Sequence, residues 1–200
     1  MKMSRIFTYF TLILLCTTVA KANNDAELYI KNFTNDIFNI ITDNQANSED
    51  ITPILSDEIK KNIDLRYICK FVIGRYWQQS DSNFKETFSS LYERFLIRTY
   101  APQFKGYNGE NYKIVRTTEL RPNRYSSHIL FFTQDKTQLN IVIYFVRNQQ
   151  QQFKIVDVTG EGISLIASQR EEFSSIISNY GLDYFLKSFQ DRVKNLENNT

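Results

Sequence analysis

A chain that carries out covalent chemistry must present a nucleophile, a base or a metal site, and this one offers few candidates. His128 is the only histidine among 200 residues. It opens a strand-like run without a sequence-level partner in Cys69 or in any serine, so it reads as a surface or packed histidine rather than a general base. Cys69 sits between apolar helix positions, where a thiol is ordinarily buried and inert. Asp157 and Glu161 flank the glycines of Asp157-Val-Thr-Gly160-Glu-Gly162 and are the best acid candidates, with Asp135 farther off. Local work is expected of both: Glu161 complementing a helix N-terminus or accepting backbone hydrogen bonds, Asp157 pairing with an arginine. Arg75 reads as an ion-pair or stacking partner. No Gly-x-Ser-x-Gly elbow, phosphate-binding glycine loop or His-Glu-x-x-His pair is present. One histidine and two cysteines leave no material for a zinc site, so neither metal nor cofactor is expected. Asn-x-Thr triplets at Asn32 and Asn198 are frequent by chance and matter only in a eukaryotic secretory pathway.

With catalysis poorly supplied, the apolar pattern becomes the informative feature. The chain opens with Lys2 and Arg5, an apolar run from Ile6 to Cys16 and then Ala20-Lys-Ala22. That run is shorter than the roughly 20 residues a spanning helix needs. It reads as a secretory signal cleaved after Ala22, giving a mature chain from Asn23. A lipid-modified Cys16 is disfavoured because Leu14 and Leu15, not Gly or Ala, precede it. Loss of Lys2, Arg5 and Lys21 lowers the basic count from 24 to 21 against 22 acids, so the formal charge of +2 becomes −1. A nearly neutral chain without a Lys/Arg cluster gives no reason to expect nucleic acid as a partner. Cys69 alone remains after cleavage, so one domain of residues 23–196 must be held by its core, with 1–22 as signal and 197–200 as a flexible tail.

Apolar periodicity predicts a helix through Leu28, Phe33, Ile37, Ile40 and Ile41, a second opened by Thr52-Pro53 with Ile54, Leu55 and Ile59 buried, and a third over 64–77 capped by Asp64. Ser80-Asp81-Ser82 supplies caps for a fourth helix with a wide stripe of Phe84, Phe88, Leu91, Tyr92, Phe95 and Leu96. Such a stripe is either a core face or the wall of a hydrocarbon-binding cavity, and periodicity does not separate the two. Strand alternation then covers about 110–117, 126–134, 139–147 and 152–158. The short connections predict an antiparallel meander of four strands. Leu139, Ile141, Ile143 and Phe145 share one face, and Val142, Tyr144 and Val146 share the other. The glycine pair turns the chain sharply into a helix capped by Ser164 and ended by Gly181, delivering Ile163 and Leu165 indoors. Leu182, Phe185, Leu186, Phe189 and Val193 pattern a last helix, with a fraying polar tail from Asn195.

The succession Gly74-Arg-Tyr-Trp77, an aromatic helix, four strands, Asp157-Val-Thr-Gly-Glu-Gly-Ile-Ser-Leu165 and Arg170-Glu-Glu-Phe173 resembles the MlaC, or toluene-tolerance, family from about Leu65 to Leu196. The resemblance implies an α+β fold: a four-stranded, mainly antiparallel curved sheet with helices around it, enclosing an apolar cavity. It implies a noncatalytic periplasmic carrier with phospholipid as cargo. The implied partners are an inner-membrane ABC transporter containing an MCE-domain protein and an outer-membrane lipoprotein–porin complex, and transport toward the inner membrane maintains outer-membrane lipid asymmetry. A carrier of this kind is expected to be a monomer that meets its partners transiently. A diacyl lipid faces a barrier on the order of 20 kcal/mol in water at ~0.8 kcal/mol per methylene, so its tails must be sheathed. Ile163 is expected to touch an acyl chain first, followed by Phe88, Phe95, Ile129, Phe131, Ile141, Ile143 and Phe145. Two other readings compete. One is an exported enzyme of similar cone-shaped fold with Asp157 or Glu161 as acid/base. The other is a ligand-free adaptor binding protein through its apolar stripes.

Overall fold

The computed structural model describes residues 24–40, 43, 52–100, 112–132 and 138–198. The proposed signal segment therefore lies outside the described residues, as do Asp135 and Cys16. Among these residues seven helices and five strands follow one another: α1 (residues 24–40), α2 (Thr52–Asn62), α3 (Leu65–Ile73), α4 (Tyr76–Gln79), α5 (Ser82–Tyr100), β1 (Tyr112–Arg121), β2 (Arg124–Phe132), β3 (Gln138–Arg147), β4 (Phe153–Gly160), β5 (Ile163–Ser164), α6 (Leu165–Tyr180) and α7 (Leu182–Asn198).

Helix starts are set by side chains that accept from backbone N–H groups otherwise left without intrahelical partners. Asp64 accepts from Tyr67 N at 2.9 Å at the head of α3. Asp81 accepts from Phe84 N at 2.7 Å as α5 begins. Ser164 accepts from Ala167 N at 3.1 Å in α6, which Gly181 ends. The helix expected over 64–77 is broken in two, because Gly74 takes φ +62 and diverts the chain before α4. That φ strains any L side chain, and a Cβ on Gly74 would also lie a tight 3.2 Å from the Arg170 guanidinium. At the other terminus α7 continues through Asn198, beyond the expected fraying point. Glu197 holds it, accepting from Arg94 of α5 at 2.7 and 2.6 Å.

The sheet is an open antiparallel meander in the order β1-β2-β3-β4-β5. It has five strands rather than the four expected. After Gly160 the chain reverses over Glu161 and Gly162 and pairs again, Gly160 with Ile163 and Thr159 with Ser164. A two-residue hairpin of this type needs positive φ at both central positions, here +48 and +84. Only Gly162 is the unencumbered residue for that role; Glu161 carries the other position with its side chain. Gly160 itself is not strained, and a Cβ there would meet Ile141 at an ordinary 3.7 Å. Register shifts in β1 and between Tyr144 and Phe145 of β3 mark bulges, which bend and twist a sheet.

Two apolar clusters result. One is helical: α3, α5, α6 and α7 bury Val72, Phe88, Tyr92, Phe95, Phe173, Phe189 and their neighbours. The other joins one sheet face to α1, with Ala26 and Ile30 above Tyr125, Ile129, Ile143, Phe145 and Ile155. In α1 the buried face is Ala26, Ile30, Thr34 and Phe38, whereas Leu28, expected in the stripe, is exposed. Ile54 of α2 is likewise exposed, and Leu55 takes the buried place. Both shifts reflect where the neighbouring layer falls against the helix, a matter periodicity leaves open.

Candidate functional site

Strand register assembles the site. Ile114 of β1 stands opposite Ile129 of β2, which stands opposite Ile141 of β3, then Gly160 of β4 and Ile163 of β5. Directly opposed residues share a face, so these five positions form one row across the sheet. From Ile129 outward, exposure rises along that row. Ile129 is 1% exposed beneath the cluster, Ile141 is half-buried, and Ile163 is 68% exposed. The next row holds Tyr112, Phe131 and Leu139, and Leu139 is also exposed. Phe38 of α1 closes over its inner end, with ring centroids 5.4 Å from Tyr112 and 5.5 Å from Phe131. Tyr112 donates to Asn35 Oδ1 at 2.5 Å and pins the helix there. A graded apolar track thus runs from under α1 to the free edge of the sheet.

The joint that ends this track is fastened by polar groups. Glu161 Oε1 accepts from Asn140 N at 2.6 Å, and Glu161 N donates to Asn140 O at 3.0 Å, tying the hairpin to the start of β3. Asp157 does not pair with an arginine. Its carboxylate accepts from Ser164 Oγ at 2.6 Å, and that hydroxyl in turn caps α6. Both carboxylates therefore hold backbone and hydroxyl partners, and the hydroxyl among them is committed to the α6 cap. The candidate acid/base pair is spent on architecture.

Five of the eight residues expected at the apolar site come together in the sheet cluster: Ile129, Phe131, Ile141, Ile143 and Phe145. Phe88 and Phe95 do not join them. They lie in the helical cluster, where Phe88 is fully buried against Phe84, Tyr92, Phe185 and Phe189 at 5.5–6.0 Å between centroids. Ile163 is not delivered indoors; it stands at the rim. Sequence reasoning missed the part played by α1, whose Phe33 and Phe38 roof the sheet face, and missed Ile114, half-buried at the β1 end of the row. The α1 periodicity was visible, but nothing local told which face of the sheet it would cover.

The remaining reactive groups sit apart from the track. Cys69 is buried in the helical cluster, and desolvation pushes its thiol up to about 12, so almost no thiolate forms near neutrality. Burial likewise raises the Tyr92 hydroxyl well above the phenol range, and it hydrogen-bonds Gln169. His128 is exposed on the opposite sheet face from Ile129. Arg75 is exposed and stacks on Tyr76, with its guanidinium 4.9 Å from the ring centroid. Among the described residues no cluster of three His, Cys, Asp or Glu side chains comes together as a metal set, and no helix is long and apolar enough to cross a membrane.

Fold and site together define an α+β protein with an open antiparallel sheet, roofed by one helix and backed by a packed helical layer. The chain belongs to the MlaC protein family, whose model matches residues 31–191. A relative from Haemophilus influenzae, the intermembrane phospholipid transport system binding protein MlaC, is 21% identical over 94% of this chain and 93% of its own length. The phospholipid-binding protein from Ralstonia solanacearum, solved in complex with a phospholipid, shares the fold with a TM-score of 0.72 at 18% identity. That likeness covers 84% of this chain and 96% of the Ralstonia chain.

Proposed function

We propose that this chain is a noncatalytic periplasmic phospholipid carrier, with an acyl chain laid along the apolar track and the headgroup left toward the rim. One observation carries the reading. The row Ile129–Ile141–Gly160–Ile163 passes without a charged side chain from full burial to the open edge, which is the shape of an entrance rather than of a closed core. Membership of the MlaC family and the names of the two relatives support it. Ile129, Phe131, Ile141, Ile143 and Phe145 then line the tails, and Ile163 meets them at the mouth. No cofactor or metal takes part, since sheathing hydrocarbon requires only apolar surface and a hydrated exit. Export by the N-terminal signal, and exchange with an MCE-domain ABC transporter on one side and a lipoprotein–porin complex on the other, complete the proposal. An isolated shuttle between two such assemblies functions as a monomer.

Native mass spectrometry of the full chain, secreted from membrane-containing cells and measured before and after organic extraction, tests the cargo directly. A mass increment matching a diacyl phospholipid is expected. Ile163→Glu should lower that occupancy, because a carboxylate against hydrocarbon costs several kcal/mol by analogy with buried unpaired charges. Protein recovered free of lipid would overturn the carrier reading, and unchanged occupancy in folded Ile163→Glu would remove this residue from the mouth.

A further inference from the structure

A second concavity lies on the helical side, where α3 breaks into α4 beside α6. It is an open groove of about 640 Å³. Its charged lining is all of one sign: Lys70, Arg75 and Arg170, with no carboxylate among the lining residues. None of the three forms an ion pair among the described residues, in a chain whose 24 basic and 22 acidic residues nearly balance. The nearest acids by sequence on α6 are Glu171 and Glu172, and Glu172 is already paired with Arg192 at 2.6 Å. Arg170 is fixed in place. It donates to Phe71 O at 3.0 Å, lies 4.8 Å from the Phe71 ring centroid and rests against the bare Cα of Gly74. Among the described residues most of its donors remain uncommitted, since a guanidinium has five and only the one to Phe71 O is used. Tyr67, also exposed, adds an aromatic wall.

The groove does not belong to the apolar track. None of its lining residues is on the sheet. α3 leaves the sheet at Asp64, whose N donates to Ile155 O, and nine residues at ~1.5 Å rise carry its far end roughly 14 Å away.

We propose that this groove docks an acidic, extended segment of a protein partner. Size and shape favour that occupant. The volume is in the range that holds a ligand of many heavy atoms, far more than one oxyanion fills. A concave, aromatic-walled groove fits a peptide that alternates carboxylates with apolar contacts, whereas a flat anionic membrane would meet cations on a convex face. This inference stands independently of the cargo reading.

Trp77, the only tryptophan in the chain, lies in α4 beside the groove and reports on it. An octaglutamate peptide titrated into the full chain at low ionic strength should change Trp77 emission saturably. The double variant Lys70→Gln/Arg75→Gln alters two exposed side chains and should keep the wild-type circular dichroism and its bound phospholipid. It should bind the peptide roughly tenfold more weakly, as expected for two lost charge-assisted contacts. An emission change that fails to saturate, or equal affinity in the double variant, would overturn the proposal. So would competition by inorganic phosphate as effective as the peptide, which would mark a small-oxyanion site. Preferential binding of phosphatidylglycerol vesicles lost in the same variant would assign the groove to a membrane surface instead, and loss of co-purified lipid would fold it into the cargo site.

Discussion

The two apolar clusters are built from similar residues yet behave differently at their margins. In the helical cluster, stripes on α3, α5, α6 and α7 face one another, and Phe88, Tyr92, Phe173 and Val193 are all fully buried. Each helix finds a partner for its apolar side, so the cluster closes on itself. Among the described residues, α1 is the one helix that roofs the sheet cluster on this face. Beyond the reach of that helix the two neighbouring rows of side chains run on to Leu139 and Ile163, both exposed. One helix is too narrow to cover a five-stranded sheet: with side chains it is about 10–12 Å across, and each strand adds about 4.8 Å. Closed packing stabilises this fold, and incomplete packing leaves apolar side chains exposed at the sheet's edge.

Breaking the closed side should produce the largest effect. Phe88→Ala removes a fully buried ring from a cluster of aromatic neighbours and should cost about 3–5 kcal/mol in urea unfolding. The fraction that remains folded should still carry lipid. Loss of cargo per folded molecule at unchanged stability would reverse the roles assigned to the two clusters. On the open side, Ile163→Glu should move unfolding free energy by no more than ~0.5 kcal/mol, because the residue is already exposed, while lowering lipid occupancy.

The joint between the two regions comes next. Ser164→Ala removes both the cap of α6 and the hydroxyl that donates to Asp157, and should cost about 1–2 kcal/mol by chemical denaturation. A change within error would mean that the joint is held by the hairpin alone. The smallest effect is expected at the Arg94–Glu197 pair, which fastens α7 to α5. Hydrogen bonds from Arg94 hold the Glu197 carboxyl below the usual carboxylate range. The folded state therefore releases this proton more readily than the unfolded chain. Its stabilisation is complete above the unfolded carboxylate value of ~4.3 and disappears as pH falls through the lower folded one. Glu197→Gln should cost under about 1 kcal/mol at neutral pH, since the arginine is largely exposed, and should flatten that part of the acid limb. An acid limb identical to wild type would show that the pair contributes nothing measurable.

Much of the local structure was legible because it depends on neighbours in sequence. Asp64, Asp81 and Ser164 announce helix starts, Gly181 a helix end, and the alternation in Leu139–Phe145 a strand with two apolar faces; each is a contact or a parity within a few residues. The break at Gly74 was not legible as a break. A helix tolerates a lone glycine, and nothing local told that this one would take φ +62, with Arg170 of α6, 96 positions along in numbering, packed close against it. The fifth strand was hidden for a related reason: two residues carry no alternation, and Ile163 becomes a strand residue only through its pairing with Gly160.

Composition and periodicity by themselves determined that this chain is an α+β protein poor in catalytic groups and rich in apolar stripes, because those properties are sums and short-range patterns. They could not say which stripe would be sealed. On the page of the sequence Ile163 was the first choice for a cavity wall and Phe88 the next, and neither pattern told which would be sealed. Tertiary packing separated them by giving one a full set of neighbours and leaving the other at an edge, since burial depends on how many faces converge on a residue rather than on its own type.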